Sequence, residues 1–343
     1  MFLFLAAAIA VASVFAWFRH RRQRALNELQ AEFAAKDRSF VFDTWFESVK
    51  AVTFPSESVP LEVEDIEALA RASDDALALI PSTKTRACDA ARLEAMALKL
   101  DAAMASFEGS GAFVRLNYLS PKDAVMDNLE RLGATQRWRV MQEEVRKSLP
   151  GSVGDDSIRA IAAIRLMISL TKVKTGEEAL WMLTHSHRTF EDFWMSRLRL
   201  QTDGRQGAAD CIQVRRWETR LLPETELRGF VFRGKLTALS QYHCSTTVPM
   251  FLERGPDIAK EVNDFFTAQV SPKLDDIQSF VVDFAFLEGG GLCLIELNPF
   301  GPQTGALLFD WQRDAVTLAG TGKEAPEFRY VRRMRDCGGA GQL

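Results

Sequence analysis

The stretch that most constrains this chain is a pair of short apolar runs, Phe280-Val281-Val282-Asp283-Phe284 and Leu294-Ile295-Glu296-Leu297-Asn298-Pro299-Phe300-Gly301, with Gly289-Gly290-Gly291 between them. Apolar runs broken by glycines predict a β-hairpin, because glycine supplies the positive-φ backbone that a tight reversal needs. Side chains two apart on a strand share a face, so Glu296 and Asn298 point the same way and Asp283 can join them from the partner strand. Two carboxylates and an amide oxygen then occupy one small patch. Hard oxygen donors of this kind suit Mg²⁺, which takes one or two carboxylates and completes its shell with water and substrate phosphates. The competing reading is a hairpin whose polar side chains simply face water.

The chain has 343 residues, a net charge of −4 and 47% hydrophobic content. That supports a large core in one big domain or two smaller ones. A charge balance this even argues against a general nucleic-acid-binding coat and leaves room only for a local basic groove. The five cysteines are scattered with no CxxC pair, so neither a zinc ribbon nor a disulfide framework is indicated, and a reducing compartment fits. The histidines form no HExxH; His185 and His187 read as surface residues.

Residues 1–18 carry no charge and are almost wholly apolar, and Arg19-His20-Arg21-Arg22-Gln23-Arg24 follows at once. A helix of that length just reaches across a thin hydrocarbon core. Positive charge after the apolar run, not before it, is wrong for a cleaved signal peptide. The expectation is a transmembrane-type N-terminal helix that anchors the body of the protein on the cytoplasmic side. The alternatives are a soluble cytoplasmic protein with a misassigned start, or a targeting segment that is removed.

Residues 19–39 read as a polar helical linker. Glu62–Ala78 and Cys88–Ala105 read as helices, the first with acidic residues in its opening turn. Ala112–Tyr118 reads as a strand, Asp155–Leu183 as one buried helical stretch, and Ile258–Val270 as a helix. Cys211–Trp217, Gly229–Phe232 and Leu236–Gln241 read as strands, with Gly234 in a tight turn. The globular part is expected over 40–318, with a flexible tail over 319–343. Strands that neighbour one another in sequence, with helices between the groups, predict an α+β fold with antiparallel sheets. There is no GxGxxG after a strand and no GxxxxGK[ST], so the Rossmann and P-loop routes to nucleotide binding are absent.

Three cationic clusters accompany the carboxylates. They are Arg115 with Asn117, leading into Ser120-Pro121-Lys122-Asp123; Gln213-Val214-Arg215-Arg216-Trp217-Glu218; and Pro223-Glu224-Thr225-Glu226-Leu227-Arg228-Gly229. A polyphosphate needs cations from several directions together with a metal, which Arg115, Lys122 and Arg228 can supply. Each alone reads more readily as a solvated surface charge. Arg228 lies two residues from Glu226, a carboxylate able to fix it. Trp217 either stacks on a base or fills the core.

Taken in order, these blocks resemble the cell division cycle protein 123 family, whose members have an ATP-grasp fold. The matching pieces are Phe113-Val-Arg-Leu-Asn with Ser120-Pro-Lys-Asp-Ala, Val214-Arg-Arg-Trp, Pro223-Glu-Thr-Glu-Leu-Arg-Gly-Phe-Val, Lys235-Leu-Thr-Ala-Leu-Ser-Gln-Tyr, Phe280-Val-Val-Asp, and Leu294-Ile-Glu-Leu-Asn-Pro-Phe-Gly through Trp311. The resemblance implies an ATP-grasp-like domain in which two α+β lobes hold ATP, with Asp283, Glu296 and Asn298 at the magnesium positions. Arg115 falls where the family usually has a phosphate-binding lysine. Lys122, Trp217, Glu218 and Arg228 fall in blocks that line the nucleotide pocket, together with Tyr118, Ser120, Asp123, Arg215, Arg216 and Glu226. Two departures matter. Arginine at 115 keeps the charge but changes its reach and geometry, and glutamate at 296 replaces the more usual aspartate.

The implied role is assembly of heterotrimeric translation initiation factor 2 through its gamma subunit, with ATP organising the cleft and turned over slowly or not at all. Two other roles are compatible with the fold: an ATP-grasp carboxylate–amine ligase, and a membrane-anchored scaffold without catalysis.

Overall fold

The computed structural model describes residues 40–78, 87–203, 211–320 and 325–333. All of these belong to one unit, Ser39–Leu343. Its helices are α1 Phe42–Val49, α2 Val63–Leu77, α3 Ala87–Ala105, α4 Lys122–Asp127, α5 Ala134–Ser148, α6 Asp155–Ser169, α7 Gly176–Thr184, α8 His187–Asp203, α9 Pro249–Phe265 and α10 Ala315–Leu318. Its strands are β1 Ser56–Pro60, β2 Ala112–Leu116, β3 Cys211–Arg216, β4 Leu227–Phe232, β5 Lys235–Gln241, β6 Phe280–Phe286, β7 Leu292–Pro299 and β8 Glu327–Arg329.

The strands form two sheets. The first has the order β1-β3-β2 and is antiparallel throughout. Alternation along its strands sends Val114, Leu116, Ile212 and Val214 into a core that includes Leu69 of α2, Leu100 of α3 and Leu183 of α7. The opposite face carries Arg115, Gln213 and Arg215, all three buried. They are buried because this face meets the second sheet.

The second sheet has the order β7-β6-β4-β5-β8, antiparallel except for a parallel β5–β8 pair. One face packs on α1 and α9 through residues such as Trp45, Phe251, Val262, Leu227, Val282 and Phe284. On the other face Phe230, Ala238 and Val281 lie under Phe309 and Trp311. Every residue of β6 is buried, so this strand reads as an unbroken apolar run interrupted only by Asp283.

The hairpin expected at 280–301 is present, with Gly289, Gly290 and Gly291 all at positive φ in its turn. Its register slips after Asp283, which faces Glu296, whereas Phe284 faces Leu294. The bulge leaves Ile295 outside the ladder, and its carbonyl accepts Nη1 of Arg215 at 2.9 Å. The helical stretch expected over Asp155–Leu183 is two helices. Between them Val173 exchanges backbone hydrogen bonds with Ala112, and Thr175 caps α7 by accepting the Glu178 amide. Beyond residue 318, β8 still joins the sheet, and buried Gln241 accepts the Val331 amide while donating to the carbonyls of His243 and Thr246.

The α+β class holds, but the transmembrane-type helix ahead of it does not stand as part of the fold. Among the described residues no helix is long and apolar enough to cross a membrane. Residues 1–18 and the linker 19–39 lie outside the described residues.

Close approach of α7 to α3 depends on Gly176, where a Cβ would lie 1.9 Å from the Ala97 carbonyl oxygen. Gly176→Ala is expected to lower stability by about 3 kcal/mol, the upper end of ordinary overpacking costs, read as a fall in urea midpoint at unchanged m-value.

Candidate functional site

The two sheets meet along β7. Arg115 on β2 donates from Nη1 to Glu296 at 2.8 Å, and Arg215 on β3 reaches Ile295 O and, at 2.8 Å, Thr53 Oγ1. Asp283 stands opposite both Glu296 on β7 and Arg228 on β4. Arg228 donates to both Asp283 oxygens, from Nε at 2.9 Å and Nη2 at 2.8 Å, and a third bond runs to Gly305 O. Asn298, two residues along β7, brings its Nδ2 to 3.4 Å from Glu296 Oε1. Lys122 enters at the start of α4. Its Nζ lies 5.8 Å from the Tyr242 ring centroid, and Arg228 faces the same ring at 5.1 Å. One small volume therefore holds three cations, two hydrogen-bonded carboxylates and an aromatic ring.

Each of these groups sets its neighbours' protonation. Burial alone would raise the Glu296 carboxyl, but Arg115 and Lys122 override it and hold Glu296 ionised, well below the usual carboxylate range. At Asp283 burial wins over Arg228 and the direction is upward. Lys122 is pulled down by burial and up by Tyr242, Glu226, Glu296 and Asp283, and the upward pull prevails. Lys122 favours the Tyr242 phenolate, yet burial with Glu226 and Asp283 pushes the hydroxyl up to about 12. Burial lowers His243 to about 4, with Lys122 adding to it, so this imidazole is neutral at physiological pH. Burial pushes Glu226 up to about 8 against the pull of Lys122.

Beside this cluster lies a pocket open to solvent, with a cavity volume of about 90 Å³. Phe54, Phe113, Ile168, Leu221 and Ile295 give it apolar walls, while Lys122, Arg215 and Glu226 mark the end nearest the carboxylates. Trp217 is half-buried in its lining, with Lys172 Nζ 5.6 Å from the ring centroid. Glu218 is hydrogen-bonded to Arg220, and Arg216 lies 3.7 Å from Glu218. Arg215 faces the Phe42 and Phe54 rings, and burial lowers its guanidinium to about 9. Its Nε and the Nε2 of His243 are buried without a hydrogen-bond partner among the described residues.

The predicted residues thus divide. Arg115, Lys122, Glu226, Arg228, Asp283, Glu296 and Asn298 converge, and Arg215, Arg216, Trp217 and Glu218 line the adjoining pocket. Tyr118 contributes its carbonyl, which accepts Arg115 Nη2 at 3.0 Å, and Ser120 is buried in the loop before α4. Asp123 does other work: its carboxylate accepts the Ser186 hydroxyl and the Arg188 amide, fixing the start of α8. The sequence analysis gave no site role to Tyr242 or His243; Tyr242 closes the matching block that begins at Lys235, and His243 follows it just after the predicted strand 236–241.

Asp283, Glu296 and Asn298 are hard-oxygen residue types compatible with a magnesium ion, and Glu296 is ionised, but each carboxylate oxygen faces a nitrogen donor and Asn298 turns its Nδ2 toward Glu296. Among the described residues no group of three His, Cys, Asp or Glu side chains forms a site that would hold a metal by itself.

Two sheets joined at a cation-ringed pair of carboxylates, next to an apolar slot, define an α+β protein built around an anion- and metal-compatible cleft. The chain belongs to the D123 family, whose model matches residues 166–340. It is 31% identical over 127 residues to a translation initiation factor eIF2 assembly protein of Xenopus laevis, which is 35% of this chain and 37% of that protein. A protein of the same description from Danio rerio is 31% identical over 99 residues, 29% of this chain and 28% of the relative. These matches span little more than a third of the curated relatives. The solved structure of Cdc123 from Schizosaccharomyces pombe shares the fold, with a TM-score of 0.55, 18% identity, and coverage of 86% of this chain and 96% of that one.

The buried Glu226 carboxyl gives a pH signature. With its folded pKa raised from 4.5 to about 8, the native state holds a proton that the unfolded chain has lost, so the contribution is full below about pH 4.5 and fades as pH rises through about 8. Glu226→Gln is expected to flatten the decline in stability between about pH 5 and 8, measured by urea denaturation across that range. An unchanged slope would show that Glu226 titrates normally.

Proposed function

We propose that this protein binds Mg·ATP in the cleft between its two sheets and acts as an assembly factor for a translation initiation factor 2-type complex, with the factor's gamma-type subunit as the partner. The observation that carries the nucleotide reading is the convergence of Arg115, Lys122 and Arg228 on Asp283, Glu296 and Asn298, beside an apolar slot lined by Phe54, Phe113 and Ile295. In this ATP-grasp reading the slot takes the base and the cations take the phosphates. Cations from several directions are what a polyphosphate requires in a cleft with little water. Magnesium, when bound, neutralises phosphate charge and fixes phosphate geometry. Arg228 keeps Asp283 oriented, and Lys122 and Tyr242 close the side of the cleft opposite β7. The assembly role rests on the descriptions of the relatives, carried over to this chain as part of the proposal.

Calorimetric titration with ATP, with and without Mg²⁺, tests the nucleotide reading. Magnesium-dependent binding is expected, weakened by about 1–3 kcal/mol in Asp283→Asn and in Asn298→Ala, because each loses a charged or polar partner in a buried site. Unchanged affinity in both variants would sink the metal assignment. Pull-down of a purified gamma-type subunit, with and without Mg·ATP, tests the partner, and no capture in either condition would remove the assembly role.

A further inference from the structure

Glu296 does not stand open to a cation. Its Oε2 accepts Arg115 Nη1 at 2.8 Å, and its Oε1 faces Asn298 Nδ2 at 3.4 Å. Asp283, directly opposite, gives both oxygens to Arg228. Each carboxylate oxygen of the proposed metal set already faces a donor. Asn298 presents its amine, not its carbonyl, to Glu296. Lys122 adds a further positive charge acting on both carboxylates. A divalent ion arriving alone meets three cations, and at Glu296 Oε2 it competes with a charge-assisted hydrogen bond.

The other bonds of Arg115 run in a different direction. Nε donates to Leu116 O at 3.1 Å and Nη2 to Tyr118 O at 3.0 Å, both on its own segment. Only Nη1 crosses to β7. Breaking that single contact leaves the guanidinium tethered by two bonds, with Nη1 freed from β7. A phosphate is a strong competitor for it, because the planar fork of arginine matches phosphate oxygens. A lysine at this position would have no such fork with which to bond two carbonyls on its own segment and a carboxylate across the cleft in fixed geometry.

We propose that Arg115 is a specificity-determining residue: it occupies Glu296 in the empty cleft, keeps free divalent cations out, and gives the carboxylate up to a metal only when a polyphosphate takes the guanidinium. This rests on reading the cleft as a Mg·ATP site. Metal and nucleotide then bind as a unit, and the arginine acts as the stand-in cation between ligands.

The test uses the full chain without nucleotide and Mn²⁺ as the probe, followed by electron paramagnetic resonance. Arg115→Gln is expected to bind Mn²⁺ about tenfold more tightly than the wild type, within the usual range of coupling between neighbouring sites. Arg115→Lys is expected to gain less, about threefold, on the same ground. A folded Arg115→Gln, checked by circular dichroism, with no gain in Mn²⁺ affinity overturns the proposal. If Arg115→Gln does not fold, absence of any gain in Arg115→Lys overturns it. A wild type that binds Mn²⁺ equally well with and without ATP also overturns it. A gain in Arg115→Gln alongside a wild type that never binds Mg·ATP would sink the nucleotide reading and leave the exclusion of cations by Arg115 standing.

Discussion

Two arginines hold the two halves of this structure together. Arg115 and Arg215 project from the first sheet, and both end on β7 of the second, one on a carboxylate and one on a backbone carbonyl. A charge taken out of water is costly unless it is paired and hydrogen-bonded, so each guanidinium in this seam needs an acceptor there. Among the described residues Arg215 has no carboxylate within hydrogen-bonding reach; it is held by a bulge carbonyl, a threonine hydroxyl and two aromatic faces. The bulge at Ile295 is therefore structural in a second sense. Without the register slip that carbonyl would point into the ladder, and the arginine would lose its acceptor.

The second sheet separates its polar and apolar functions along one face. Phe230, Ala238 and Val281 pack under Phe309 and Trp311, while Arg228 and Asp283, each two residues further along its strand, share that face with Glu296 and Asn298. The same pleat that sends alternate side chains to one side delivers both an apolar lid and a charged site. Packing at one end anchors the geometry of the other, which gives buried carboxylates fixed positions in a region that would otherwise favour their neutral form.

How much of this was legible in the sequence follows from how local each signal was. The hairpin, its glycine turn and the shared face of Glu296 and Asn298 depend on neighbours in the chain, and all are present. Which cations join them depends on contacts such as Arg115 to Glu296, which are 181 residues apart, so spacing alone could not separate Lys122, which joins the site, from Asp123 beside it, which fixes a helix. The break within 155–183 was hidden because a single β-bridge at Val173 outweighs a helical pattern on either side. Strand β8 is only three residues long and has no alternation to read. The apolar N-terminal run carried a strong composition signal, and residues 1–18 lie outside the described residues.

Gln241 carries a consequence for the order in which the chain can acquire its structure. Its amide joins strand β5, the turn that bears Tyr242 and His243, and the Val331 backbone. Tyr242 is also held by its amide to Glu226 O. During synthesis, β4, β5 and Tyr242 emerge long before β6, β7 and Val331. The wall of the cleft therefore lacks its Val331 contact and leaves β5 unpaired on its β8 side until 90 further residues have been added. Edges left open in that way invite the wrong partner. A protein whose relatives are described as helping another complex assemble has, in its own chain, a late closing step of the same kind.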